Sequence, residues 1–294
     1  MRCVVGYEAT PQGLDALNLG IDLAQSLDAE LNIVLVLRRR DAFSHEYPPT
    51  GDVQDILLNQ GFRWLKEALA LVPAGVRACA RIYSGASTAD GLTRAAEELD
   101  ADLLCVGGAS SSPLKRHKLG SVATDLLFGS PVPVALAPRG YVRHPLSRIT
   151  CAVGTRPGSG SLVETGLVTA RRAQVPLRLL ALLGVNHDEA RESFAQENAQ
   201  RVLDDARVTL GITNRTVPVA IEMGKSSEIN NAVDTVEWRD GDLLCVGSSR
   251  VEQSRSVFAG SITMRILKHL TVPMVIVPRG YRARPDSGEG AAHE

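Results

Sequence analysis

The stretch DLLCVG occupies residues 102–107 and returns unchanged at residues 242–247. The offset of 140 continues without a gap. Gly120-Ser121 matches Gly260-Ser261, Val132-Pro133 matches Val272-Pro273, and Pro138-Arg139-Gly140-Tyr141 matches Pro278-Arg279-Gly280-Tyr281. Toward the start of each copy, Cys3-Val4-Val5-Gly6 pairs with Cys151-Ala152-Val153-Gly154 at an offset of 148, which gives the first copy about eight extra residues. The run SHEYPPTGD at 44–52, rich in turn formers, is the natural place for them. The chain is therefore expected to be two copies of one unit, at residues 1–141 and 147–282. A linker falls around 138–148, and 283–294 form a polar, glycine-bearing disordered tail.

Outward from DLLCVG, each copy alternates short apolar runs with amphipathic stretches. In the first copy, strands are expected at 3–7, 31–37, 77–83, 102–107 and 132–137, and helices at 14–27, 55–71, 88–99 and 121–128. Strands this continuously apolar, separated by helices, imply a parallel sheet covered on both faces. The fold class is α/β, with two tandem five-stranded parallel-sheet domains. The second copy is expected to repeat the same order from 149 to 278. Ligands of such sheets sit at the carboxyl ends of the strands, where the strand order reverses.

Composition narrows the function. With 44% hydrophobic and 22% charged residues and a formal net charge of −1, the chain carries no footprint for nucleic acid or an anionic membrane surface. No apolar stretch approaches the roughly 20 residues that span a bilayer, and the first residues are too briefly apolar for a signal peptide. Five widely spaced cysteines fit reduced thiols in a cytoplasmic protein. The six histidines show no metal-ligand spacing, and neither a nucleophile elbow nor a G-x-x-x-x-G-K-[ST] loop is present. No catalytic base is identified.

The informative loop follows the fourth strand. Residues 107–127 read GGASSSPLKRHKLGSVATDLL, a glycine-ended strand, a polar loop, and Gly-Ser opening a helix. Glycine lets backbone approach a phosphate, and the N–H groups and positive dipole end of the helix favour an anion. Ser110 and Ser121 hydroxyls add donors, and Lys115, Arg116 and Lys118 add positive charge. A solvated crossover with a basic face is the competing reading.

The spacing resembles the universal stress protein signature G-x2-G-x9-G-[ST]. Here it reads Gly107-x2-Ser110-x9-Gly120-Ser121-Val122 and Gly247-x2-Arg250-x9-Gly260-Ser261-Ile262. The opening Val5-Gly6-Tyr7-Glu8-Ala9-Thr10 is similar to that family's V-[AG]-x-D-G-S. The resemblance covers both copies and implies the adenine-nucleotide alpha hydrolase-like (HUP) architecture, strand order 3-2-1-4-5. It further implies ATP, with Mg when it binds, wrapped by the glycine loop, with Glu8 beside ribose and phosphates and backbone at Leu37 reading adenine. The second copy offers Arg156 and Leu183.

Ser110 and Arg250 replace the middle glycine of the signature, so the first copy is the better candidate site. The function this implies is a stress-response regulator that binds an adenine nucleotide, with at most slow ATP hydrolysis or autophosphorylation. The alternative is a nucleotide-free module for dimerisation and partner docking. In it the fifth strands at 132–137 and 272–277 pair within the chain as a pseudo-dimer. A homodimer of chains is left open, and no protein partner is specified.

Overall fold

The computed structural model describes residues 1–38, 51–108, 119–154, 159–184, 189–212, 217–227, 231–248 and 260–284, and omits the side chains of 51–54 and 261. Most of the expected insertion and nearly all of the expected tail lie outside these residues. The chain divides into two compact units, Met1–Arg143 and His144–Glu294.

In the first unit, strands β1 (Arg2–Gly6), β2 (Glu30–Arg38), β3 (Ala78–Gly85), β4 (Leu103–Gly107) and β5 (Val134–Ala137) form a parallel sheet in the order β3-β2-β1-β4-β5. β5 starts two residues later than its apolar run, because Pro131 and Pro133 supply no N–H for a ladder. Helices α1 (Pro11–Ser26), α2 (Gly51–Ala70), α3 (Thr88–Glu98) and α4 (Ser121–Gly129) connect the strands.

Local chemistry sets the helix starts. Thr10 Oγ1 accepts from Gly13 N at 3.2 Å with Pro11 at the first helical position. At α3, Ser87 Oγ accepts from Asp90 N while the Asp90 carboxylate accepts from Ala86 N, a reciprocal cap. The core holds Val4, Val5, Leu17, Leu19, Ile21, Ile33, Val34 and Leu104, all fully buried. Each such side chain contributes about 1.5–3 kcal/mol on leaving water.

The second unit has strands β6 (Arg148–Ala152), β7 (Leu177–Leu183), β8 (Val219–Lys225), β9 (Asp242–Gly247) and β10 (Met274–Val277), in the equivalent order β8-β7-β6-β9-β10. Its helices are α5 (Ser159–Ala173), α6 (Glu189–Thr209) and α7 (Ser261–His269).

Two expectations change here. Among the described residues the second unit does not repeat the third helix, and a 3₁₀ turn, Asn231–Val233, stands where α3 would be. Local bonds close this segment. Thr235 Oγ1 donates to Ala232 O at 2.8 Å and accepts from Lys225 N, and the Trp238 indole donates to Val233 O at 3.0 Å. Side chains that satisfy backbone groups this way compete with helix propagation.

The register also corrects the alignment of the copies. Cys3 lies beside Leu103 and Ile149 beside Leu243, while Cys3 pairs with Leu31 and Ile149 with Leu177. Residue 3 is thus equivalent to 149, an offset of 146 rather than 148. Close approach of helix to sheet agrees. A Cβ on Gly20 would meet Val5 Cγ2 at 2.3 Å, and one on Gly166 would meet Cys151 Sγ at 2.3 Å, so Val5 and Cys151 are counterparts. The first unit therefore carries six extra residues between its first and fourth strands, five of them between β2 and β3. A slip of two keeps every side chain on its own face, so alternation alone could not detect it.

The repeated Pro-Arg-Gly-Tyr has a backbone reason, since Gly140 and Gly280 adopt φ of 67° and 73°, where a Cβ is disfavoured. In the first unit this turn is strapped to α1. Asp15 accepts from Gly140 N and Tyr141 N, both at 3.0 Å, and Asp22 accepts from Tyr141 Oη and Arg143 Nε, both at 3.0 Å.

Candidate functional site

In the first unit, β1 and β4 are the neighbouring central strands, and their carboxyl ends carry the expected site residues. Gly6 closes β1. Tyr7 is buried and donates its N–H to Val34 O at 2.9 Å. Its phenol is held above the usual range by burial and, secondarily, by the charge of Glu67. Glu8, Ala9 and Thr10 are exposed and fold back over the start of α1, with Thr10 N donating to Glu8 O at 2.7 Å.

Gly107 ends β4 directly against the first turn of α1. A Cβ there would lie 2.1 Å from Gln12 O, a backbone atom that cannot step aside. The first glycine of the signature is therefore fixed by the approach of α1 to β4. Gly108 N donates to Ala137 O at 3.1 Å, which ties the end of β4 to β5. Ser110, Lys115, Arg116, His117 and Lys118 lie outside the described residues.

The chain returns at Gly120, the N-cap of α4, with extended backbone (φ −87°, ψ 173°). Among the described residues no side chain caps α4, and its first turn contains no acidic residue. Ser121 is exposed and Val122 half-buried, while Thr124 donates from both N and Oγ1 to Gly120 O at 2.9 and 2.8 Å. Because α4 must run back toward the start of β5, its N-terminus faces the carboxyl edge of the sheet. Its first-turn N–H groups form an anion-seeking end with no carboxylate of that turn in place. Leu37, half-buried near the end of β2, stands at the same edge.

The second unit keeps part of this arrangement. Gly247 ends β9, Ser248 N donates to Val277 O at 2.8 Å, and Gly260 caps α7 with extended backbone and no side-chain bond. Ile262 and Leu183 are half-buried. Ser261 is the first residue of α7, and Arg250 and Arg156 lie outside the described residues. The offset of 146 places Gly154, not Arg156, at the position of Glu8. The Gly154 carbonyl accepts from Ser159 Oγ at 2.9 Å and Asn198 Nδ2 at 3.4 Å. Replacement of the acid by arginine is thus not the difference between the copies; its place is held by glycine.

One charged centre was not read from the sequence, although an arginine inside LRLLALL was a usable signal. Arg178, 1% exposed, stacks its guanidinium 4.7 Å from the Trp238 ring centroid and donates to Thr150 Oγ1 at 3.0 Å, Glu222 Oε2 at 2.9 Å and Glu237 O at 3.0 Å. Burial lowers its pKa, against the raising effect of the Glu222 hydrogen bond. It lies toward the amino end of β7, away from the edge that carries Gly247.

The family model for the universal stress protein family matches residues 1–138 and again 145–278. A universal stress protein of Mycobacterium tuberculosis is 28% identical over 303 residues, covering 95% of this chain and all of the relative. One from Mycolicibacterium smegmatis is 32% identical over 140 residues, covering 47% of this chain and 98% of its own. Among solved structures, a universal stress protein from Archaeoglobus fulgidus superposes with a TM-score of 0.70 at 17% identity, covering 95% of this chain and 98% of that one, a likeness of fold. With two matched segments that together take in nearly all of both repeats, the chain belongs to the universal stress protein family and carries two of its domains in tandem.

Proposed function

We propose that this chain is a stress-response regulator whose N-terminal domain binds ATP or a related adenine nucleotide. The observation that carries the reading is the N-terminus of α4 at Gly120-Ser121, which has no side-chain cap among the described residues, following the glycine-ended β4 packed on Gln12 in the first turn of α1. Backbone N–H groups at Ser121 and Val122 would hold phosphate oxygens, Glu8 and Thr10 would meet ribose or a phosphate-bound Mg, and the backbone of Leu37 would read the base. Thr10 Oγ1 already accepts from Gly13 N, which leaves its hydroxyl proton free to donate.

The second domain is the weaker candidate, because Arg250 replaces glycine and Gly154 replaces the acid. No helix among the described residues is long and apolar enough to cross a membrane, and a cytoplasmic setting belongs to the same proposal. Adenine nucleotide released from purified protein, or ATP binding in a calorimetric titration, is the expected result. Absence of any adenine species in both measurements removes the reading.

Ser110 and Arg250 at the signature's middle glycine favour the second reading, a nucleotide-free module in which the edge strands β5 and β10 serve pairing. Val134→Asp would then loosen the chain in small-angle scattering, and unchanged dimensions would count against it.

A further inference from the structure

Four of the five cysteines stand in two buried pairs, one in each domain. Cys3 Sγ lies 3.4 Å from Cys105 Sγ, Cys151 is paired directly with Cys245 on the neighbouring strand, and none of the four is more than 4% exposed. Cys105 and Cys245 occupy equivalent places on β4 and β9, but their partners do not. The counterpart of Cys3 is Ile149, and the counterpart of Cys151 is Val5. At each place the other domain seats a β-branched residue, which suits a central strand better and buries more apolar surface. Core filling therefore accounts for neither cysteine. What the domains share is a thiol against a thiol, reached from two different positions of the first strand.

The two pairs differ in geometry. Cys151 and Cys245 are direct partners across β6 and β9. Neighbouring strands lie about 4.8 Å apart, within the roughly 4.4–6.8 Å between Cα atoms that a disulfide spans. Cys3 is partnered by Leu103, so Cys105 sits diagonally, two residues further along. Strand geometry then separates its Cα from that of Cys3 by about 8 Å, too far for a bridge without backbone movement.

We propose that Cys151 and Cys245 are an oxidant-sensitive dithiol that closes to a disulfide across β6 and β9 with hydrogen peroxide as the two-electron oxidant, while Cys3 and Cys105 stay thiols. The Cys245 thiolate, the more exposed of the two, attacks a peroxide oxygen. An S–O bond forms as the O–O bond breaks, and the departing hydroxide takes up the proton that thiol released. The Cys151 sulfur then attacks the sulfenic sulfur. The S–S bond forms, the S–O bond breaks, and a second hydroxide leaves as water with the second thiol's proton. Two thiols are oxidised and one peroxide is reduced to two waters. The neighbouring Cys245 thiol and burial hold the Cys151 thiol well above its ordinary range, so closure is gated by opening of the domain and is slow.

The test uses the full chain with Cys79→Ser, which removes the half-buried fifth thiol. After peroxide treatment the protein is denatured without reductant, alkylated, and its peptides mapped by mass. The expected result is loss of two alkylatable thiols per chain, a linked Cys151–Cys245 peptide, recovery with dithiothreitol, and full alkylation of Cys3 and Cys105. Cys151→Val, which installs the counterpart residue Val5, keeps the fold by circular dichroism and stops oxidation at a sulfur oxyacid on Cys245. The proposal is overturned if all four thiols remain alkylatable under peroxide that fully oxidises Cys79 in the parent chain. It is equally overturned if both pairs close at the same rate, or if only Cys3–Cys105 closes.

Discussion

The two domains share one strand order but cover it differently. In the first, α3 lies over the sheet, with Val36 packed on Gly91, and the polar residue on the same face of β2 is the short, neutral Asn32. In the second, a 3₁₀ turn replaces α3, and the residue equivalent to Asn32 is Arg178, which fills the space with its stem and stacks on Trp238. The strap differs as well. The second copy keeps Tyr281 but has Ser161 and Val168 where the first has Asp15 and Asp22. The repeat preserves the strands, the glycine turns, the first two helices and the helix that follows the fourth strand, whereas the cover over β2 and β7 and the strap to the first helix differ.

The largest effect is expected at Arg178. Arg178→Ala strands Glu222 and unstacks Trp238, and removing one partner of a buried ion pair costs about 3–5 kcal/mol. Glu222 is partly exposed, which puts the value at the low end. The urea midpoint of the second domain should fall, read at Trp238 in a Trp64→Phe background. An unchanged midpoint would mean that the first domain's solution, a short polar side chain, serves here too.

Next is Gly107→Ala, which drives a Cβ into Gln12 O and should cost the first domain about 1–3 kcal/mol while weakening any nucleotide bound there. Thermal unfolding with and without ATP separates the two losses.

Smaller again, Asp22→Ala removes the hydrogen bonds of Tyr141 and Arg143 and should cost about 1–2 kcal/mol in the first domain alone. Limited proteolysis near residue 143 should quicken, and no change there would show that the strap has no structural weight.

The smallest effect concerns pH. Burial raises the Asp15 carboxyl above its ordinary value, against the opposing pull of the Gly140 and Tyr141 N–H groups and Arg139. A raised folded-state pKa contributes stability that is complete below the unfolded value and is lost as pH climbs through the folded one. First-domain stability should therefore decline slightly on leaving the acid side of the carboxylate range. Unfolding midpoints of Asp15→Asn across that range should lack this slope; an identical slope would place its origin elsewhere.

Much of the fold was legible because DLLCVG, the proline-flanked fifth strands and Pro-Arg-Gly-Tyr mark elements whose backbone leaves few alternatives. The register of β1 against β6 was not, because Cys-x-Val-Gly matches at a shift that preserves inside and outside. The missing third helix was hidden by the repeat itself, although asparagine, aspartate, threonine and valine crowd residues 230–236. At the site, Gly107 and Gly120 were legible through their spacing. The carbonyl of Gln12 that makes Gly107 necessary is a backbone contact and leaves no mark on its own residue type.

The central claim is that the N-terminus of α4 receives the phosphates of an adenine nucleotide. Ser121→Asp tests it most directly, because a carboxylate in the first turn suits the helix dipole and spares the fold while repelling an anionic ligand. Calorimetric titration with ATP should give one site per chain, lost in Ser121→Asp at an undiminished unfolding temperature and retained in the matching Ser261→Asp. No ATP binding by the unmodified chain, or equal binding by Ser121→Asp, would contradict the account.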